Sequence, residues 1–371
     1  LGIMNVEQIL TGSQYQSSQF KNAKWLKFDG VDDNVEILNS SFYNLAGKNF
    51  TLCIKALVCR LGAGGNSRLI PFIQKGSIST NFYVVGTLGG SYRELGFRFG
   101  TLNNSKGFGI PLSVFNIEAN LYTSFDVAFI RTGQNGSLSA ALNPNNYKVL
   151  VNNVMYNCTE VVNLGNLSTD TFTNPNTITI NGQVAVDCCR LYLAGYNFYD
   201  TDLSVSQIQS VFSGNVPYNS NKGSYNSNSE YGYTLKDNSS VKNNGQLKNY
   251  GSTADALTNS VWIDEIIGFT NNSTKLFTAK KALTINKIGR GQHQSPTSTS
   301  FTVIHKRGAI EQAVYNLTFG GSLGSNLIDS TNQIAMLKDD TLEITTSGMT
   351  VGSNSTGGFT RYGCVCELFW H

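Results

Sequence analysis

The sequence is poor in charge, proline and histidine. Only 14% of the 371 residues are Asp, Glu, Lys or Arg, and the formal net charge is +3. So small and scattered a charge excludes the basic stripe of a nucleic-acid binder and the polybasic face of a protein held on anionic lipid. Six prolines and three histidines complete the deficits. The histidines, His293, His305 and His371, all fall in the last quarter of the chain, so the 292 residues before them have none for nucleophilic or acid–base work. No apolar run reaches the roughly 18 to 20 residues that span a bilayer as a helix. The first ten residues, LGIMNVEQIL, lack the basic start and long apolar core of a secretory signal. A chain beginning at Leu1 is expected of a processed product or a fragment.

Seven cysteines are present: Cys53, Cys59, Cys158, Cys188, Cys189, Cys364 and Cys366. No CxxC pair occurs, which argues against a zinc ribbon or a dithiol redox centre. They are expected to be small buried hydrophobes in a chain folded under reducing conditions.

What is abundant is glycine (37 residues), Asn, Ser and Thr, with 17 Tyr and 21 Phe. Asn and Gly tolerate the positive φ of tight turns, and aromatic and β-branched side chains suit a pleated surface, so short strands joined by polar turns are expected. Apolar residues alternate in FTLCIKALVC, NFYVVGTL, ELGFRFGTL and SFDVAFIRTG. YKVLV-NN-VMYN reads as a hairpin turning at Asn152-Asn153. One helix is expected in DTDLSVSQIQSVFSG, with a Ser204/Gln207 capping box, an apolar stripe of Val205, Ile208, Val211 and Phe212, and a Gly214 terminator. Residues 217–261 turn polar and read as a connector. Alternation resumes after Trp262, placing Phe301, Val303 and His305 on one strand face, and Cys364, Cys366, Leu368 and Trp370 on another.

The ordered series WLKFDGVDDNVEI, NFTLCIKALV, PFIQKGSISTNFYVVG, SFDVAFIRTG, YKVLVNNVMY and RLYLAGYNFYDTDLSVSQIQSVFSG resembles the laminin-G-like, concanavalin A-like jelly roll. The LKDNSSVKNNGQL connector and β-rich tail resemble a pairing found in bacteriophage tail-fibre and other virion appendage proteins. The resemblance implies an all-β chain: an N-terminal connector (1–23), a jelly-roll sandwich (24–216), a connector (217–261) and a smaller antiparallel β-sandwich (262–371). It also implies a virion protein assembled in the host cytoplasm and exposed on the particle, bound to other virion proteins, with no membrane insertion, and a homotrimer by analogy with phage fibres. A capsid decoration or connector, and a bacterial carbohydrate-binding adhesin, are the alternatives.

Three aspartates, Asp29, Asp32 and Asp33, lie within five positions. A turn whose carboxylates bond backbone amides is the simpler reading, because EF-hand spacing and its closing Glu are missing. Some laminin-G domains bind calcium, which keeps these residues as candidate ligands; no other cofactor is expected. Hydrolysis of glycans needs paired carboxyl groups. The acidic residues of strand-like segments (Glu94, Asp126, Asp187, Glu343, Glu367) are isolated, and no enzymatic activity is expected. What remains is binding of a host surface glycan, for which aromatic faces in the loops are needed: Tyr92, Tyr147, Tyr196, Phe198 and Tyr199 are the candidates.

Overall fold

In the computed structural model, the residues described are 15–16, 24–30, 32–38, 41–60, 70–76, 82–87, 94–101, 103–115, 117–172, 177–181, 190–214, 216–217, 221–226, 234–239, 241–250, 262–291, 299–319, 333–349 and 363–370. The chain is all-β, and it divides into two compact units. The first holds residues 1–56, 60–117 and 125–250; the second holds 57–59, 118–124 and 251–371.

The first unit begins with β1 (Tyr15–Gln16), β2 (Trp25–Asp29), β3 (Asn34–Ile37) and β4 (Phe50–Arg60). There follow β5 (Ile70–Lys75), β6 (Phe82–Thr87), β7 (Leu95–Gly100), β8 (Ser105–Gly109) and β9 (Ser124–Arg131). Next come β10 (Tyr147–Val151), β11 (Val154–Asn157), β12 (Thr159–Leu164), β13 (Ile178–Ile180) and β14 (Arg190–Tyr199). The unit ends with β15 (Val216–Pro217), β16 (Asn221–Asn226), β17 (Thr234–Asp237) and β18 (Gly245–Lys248). One sheet runs β11-β10-β9-β4-β14, with β2 and β16 along the far edge of β14. The other runs β12-β8-β7-β6-β5-β13-β3-β18. Strand β17 pairs with β16 at its C-terminal half and with β18 at its N-terminal half, so hydrogen bonding passes from sheet to sheet.

Aromatic rings from the two sheets meet in the middle. Phe97 on β7 lies 5.9 Å from Phe50, 5.7 Å from Phe129 and 5.1 Å from Tyr147. Phe72 on β5 lies 6.1 Å from Phe129 on β9. Face-to-face sheets interlocked by side chains of this size are a β-sandwich. The β10–β11 hairpin turns at Asn152 (φ 47°) and Asn153 (φ 68°), the double positive φ of a type I′ turn. The helix α1 (Val205–Phe212) has the Ser204/Gln207 capping box, and it buries Ile208 and Val211.

Residues 217–250 correct the connector expectation. They supply β16, β17 and β18, with Tyr225 stacked on Tyr196 at 4.3 Å. The buried Asp237 carboxylate accepts from the backbone N–H groups of Ser224, Ser239 and Asn243 at 2.8–2.9 Å. These polar strands are held by backbone pairing, the Tyr225 ring and one carboxylate, with one buried leucine each in β17 (Leu235) and β18 (Leu247).

The second unit contains β19 (Trp262–Ile263), β20 (Glu265–Phe269), β21 (Thr274–Thr278), β22 (Leu283–Arg290), β23 (Thr299–Arg307), β24 (Ile310–Phe319), β25 (Ile334–Met336), β26 (Thr341–Ser347) and β27 (Cys364–Trp370). Two antiparallel four-stranded sheets, β20-β27-β22-β25 and β21-β26-β23-β24, enclose one core. Phe301, Val303, Cys364, Cys366 and Leu368 all point into it, with Trp370 packed alongside. All five described cysteines are buried. Burial pushes the Cys364 thiol up to about 12, where it is inert. Among the described residues no helix is long and apolar enough to cross a membrane.

Candidate functional site

The loops at one end of the first unit rest on a buried arginine. Arg131, the last residue of β9, is fully buried. Its Nη1 donates to the Leu45 carbonyl at 2.7 Å, its Nη2 to Asp170 Oδ2 at 2.8 Å, and its Nε to the Tyr147 hydroxyl at 3.2 Å. Its guanidinium lies 4.2 Å from the Phe172 ring centroid. Asp170 also accepts from the Gly47 and Phe172 amides at 2.7 and 3.2 Å. One guanidinium and one carboxylate thus tie together residues 45–47, 147 and 170–172, each using several of its hydrogen-bonding positions. Gly47 (φ 67°) passes against Gly136; a Cβ on Gly47 would sit 2.8 Å from the Gly136 Cα, so the two loops meet through their backbones.

Polar side chains converge above this platform. Asn49, immediately before β4, donates from Nδ2 to Asp202 Oδ1 at 3.1 Å. Thr132 donates from its hydroxyl to Asp202 Oδ2 at 2.5 Å. The Gln134 backbone N–H donates to Asn49 Oδ1 at 2.9 Å, and its side-chain Nε2 turns back to the Thr132 and Ala140 carbonyls. The 201–203 segment is pinned because Thr51 Oγ1 donates to the Thr201 carbonyl and accepts from the Leu203 amide, both at 2.9 Å. The 132–146 loop is ordered from within: Ser137 caps the turn Leu138–Ala141, and Asn143 caps the turn Pro144–Asn146. The result is an exposed carboxylate flanked by an amide and a hydroxyl, all on backbone fixed from below. Such a set both donates and accepts, as recognition of vicinal hydroxyls requires.

The expected aromatic contacts are corrected. Tyr147, Tyr196, Phe198 and Tyr199 are buried to within 2% exposure and present no ring face to a ligand. The Tyr147 hydroxyl donates to the Ala141 carbonyl at 2.7 Å, and burial pushes its pKa up. Tyr92 lies outside the described residues. The 132–147 and 199–202 loops do meet, but they turn their tyrosines inward and their Asn, Thr and Asp outward. A sequence signal for these existed: Asn49, Thr132 and Asp202 are among the first polar residues beyond the apolar ends of β4, β9 and β14.

At the acidic turn, Gly30 takes φ 74°, Asp33 is fully buried and Asp32 half-buried. The Asp32 carbonyl accepts from Asn34 Nδ2 at 3.3 Å and Asn249 Nδ2 at 2.9 Å, and the Asp33 carbonyl from Asn181 Nδ2 at 3.0 Å. The Asp29 side chain lies outside the described residues. Among the described residues no group of three His, Cys, Asp or Glu side chains is placed to hold a metal ion. His305 is buried, with Nε2 3.0 Å from Asp340 Oδ2.

No protein-family model matches the chain, and no curated protein matches it. Among solved structures it is similar to one described as the crystal structure of the receptor binding domain, at 10% identity over 90% of this chain and 88% of that one, TM-score 0.33. It is also similar to the binding domain of Botulinum neurotoxin DC in complex with rat synaptotagmin II, at 12% identity over 95% of this chain and 92% of that one, TM-score 0.35. Likenesses this distant carry no argument about function.

Proposed function

We propose that the chain is a non-enzymatic recognition protein of a virion appendage, a tail fibre, spike or head fibre, that binds a host surface glycan through Asn49, Thr132 and Asp202. The observation that carries this reading is the exposed Asp202 carboxylate held between Asn49 and Thr132 on the Arg131 platform. A rigid amide–carboxylate–hydroxyl set matches sugar hydroxyls without a conformational cost at binding. The resemblance of residues 24–216 to the laminin-G-like jelly roll, and of the β-rich tail to phage appendages, supports the virion setting. Repeated copies on one particle make a weak shallow site effective.

The test is an array of bacterial surface polysaccharides probed with the wild-type chain, Asp202→Ala and Asn49→Ala. Losing a hydrogen bond to a charged group costs about 1.5–3 kcal/mol, so Asp202→Ala is expected to weaken binding roughly 10- to 100-fold. Binding unchanged in both variants, or no polysaccharide bound by the wild type, overturns the site. Release of reducing ends from a bound polysaccharide overturns the non-enzymatic reading.

A further inference from the structure

An asparagine followed by glycine is the step of a chain most open to attack by its own backbone, because glycine has no side chain to crowd the ring that forms. The sequence has three such steps: Asn135-Gly136, Asn181-Gly182 and Asn244-Gly245. The fold treats them differently.

Two of the asparagines are held. Asn181 is fully buried, and its Nδ2 donates to the Asp33 carbonyl at 3.0 Å; Gly182 lies outside the described residues. Asn244 is exposed, but its Oδ1 accepts from the Asp237 backbone N–H at 2.9 Å. Gly245 is buried in β18, paired with Leu235 on β17 and with Ile37 on β3. A Cβ on Gly245 would sit 2.6 Å from Val35 Cγ1, so this backbone has little room to turn onto the side chain before it.

The Asn135-Gly136 step is open. Both residues are exposed, in the loop between β9 and the turn Leu138–Ala141. Gly136 takes φ 84°, and a Cβ built on it would meet nothing within 4 Å. Among the described residues its N–H has no hydrogen-bond partner. Asn135 Oδ1 accepts twice, from the Ser137 N–H at 3.0 Å and from the Ser137 hydroxyl at 2.7 Å. Two donors on a carbonyl oxygen stabilise the charge that arrives there when a nucleophile adds to its carbon.

The geometry points to Asn135-Gly136 as a site of spontaneous conversion of asparagine to aspartate and isoaspartate. Hydroxide removes the Gly136 N–H proton, and that nitrogen adds to Asn135 Cγ. The negative charge collects on Oδ1, against the two Ser137 donors. The Cγ–Nδ2 bond then breaks, and Nδ2 leaves as ammonia with a proton from water, leaving a five-membered succinimide. Water opens this ring at either carbonyl. Opening at Cγ gives aspartate. Opening at the backbone carbonyl gives isoaspartate, whose main chain runs through Cβ and Cγ and is one atom longer. The extra atom falls where the loop is closely packed: the Gly136 backbone lies against Gly47, and the neighbouring Gln134 N–H holds Asn49.

In the test, the full chain is aged in mildly alkaline buffer made with heavy-oxygen water, which marks acid formed during the incubation. The three Asn-Gly peptides are then followed by mass spectrometry, and the same chain in urea gives the unfolded rate at each step. Folding is expected to leave the rate at Asn135 at least as high as in urea. It is expected to slow Asn181 and Asn244 roughly ten-fold or more, since each must first open locally. Ser137→Ala is expected to slow Asn135 about 2- to 10-fold, the worth of one hydrogen bond, and Ser137→Thr, which keeps the hydroxyl, is not. Isoaspartate methyltransferase is expected to label the aged wild-type peptide and not that of Asn135→Gln, whose ring would need six members. Folding that slows Asn135 as much as Asn244, earlier conversion at Asn244, a rate at Asn135 indifferent to Ser137→Ala, or an unlabelled wild-type peptide overturns the proposal.

Discussion

Asp340 gives the second unit an acid-sensitive fastening. Its Oδ2 accepts from Arg307 Nη2 and His305 Nε2 at 3.0 Å and from the Leu337 amide at 2.9 Å, while Oδ1 accepts from Arg307 Nε at 3.1 Å. Hydrogen bonding from the Arg307 guanidinium, followed by that from Leu337 and His305, holds the carboxyl far below the usual carboxylate range, against the opposing effect of burial. An unfolded aspartate titrates near 3.9. A folded value below the unfolded one means stability that is complete above about pH 4 and is lost as pH falls towards the folded value. Asp340→Asn is therefore expected to lower the thermal midpoint at pH 7 and to flatten its decline between about pH 5 and pH 2. Parallel declines in the two proteins would show that this carboxylate is not linked to unfolding. Residues such as these are hard to read from sequence. Tyrosine explains why: it pairs an apolar body with a polar tip, so at the end of a strand it looks like a surface residue. Tyr147 and Tyr225 bury their rings, and their hydroxyls reach the Ala141 and Asn243 carbonyls.

At the scale of elements, legibility followed the source of the order. Where a local rule acts alone, the sequence reading matches the structure: the capping box starts α1 at Ser204, and paired asparagines close the β10–β11 hairpin. Where distant partners supply the order, it does not. Strand β16 is NKGSYN, with no aliphatic alternation. Its Gly223 passes so near Tyr43 that an added Cβ would lie 2.3 Å from that hydroxyl. Nothing in a six-residue window announces such a neighbour. The hairpin offers the sharper test. Asn153 at φ 68° sits where a Cβ-branched side chain crowds the following carbonyl. Asn153→Val is expected to destabilise the chain by about 1–2 kcal/mol, and Asn153→Gly is not, by urea denaturation monitored through tryptophan fluorescence. Asn152 is left untouched because its Oδ1 accepts from the Asp126 amide at 3.1 Å.

For the whole molecule, the residues of the proposed sugar site, Asn49, Thr132 and Asp202, all belong to the first unit. As proposed, a site built of one carboxylate, an amide and a hydroxyl, without an exposed ring, would form few contacts with a sugar, and its single-site affinity would be low. Linking two such sites turns the second binding event into an intramolecular one, and avidity can rise by roughly 10²- to 10⁴-fold without any new contact. Asp202→Ala should weaken binding both to a soluble monovalent oligosaccharide, measured by calorimetry, and to a surface densely coated with the same sugar, measured by interferometry. A loss seen on the dense surface but not in calorimetry would show that Asp202 does not contact the sugar, and would sink the proposed site.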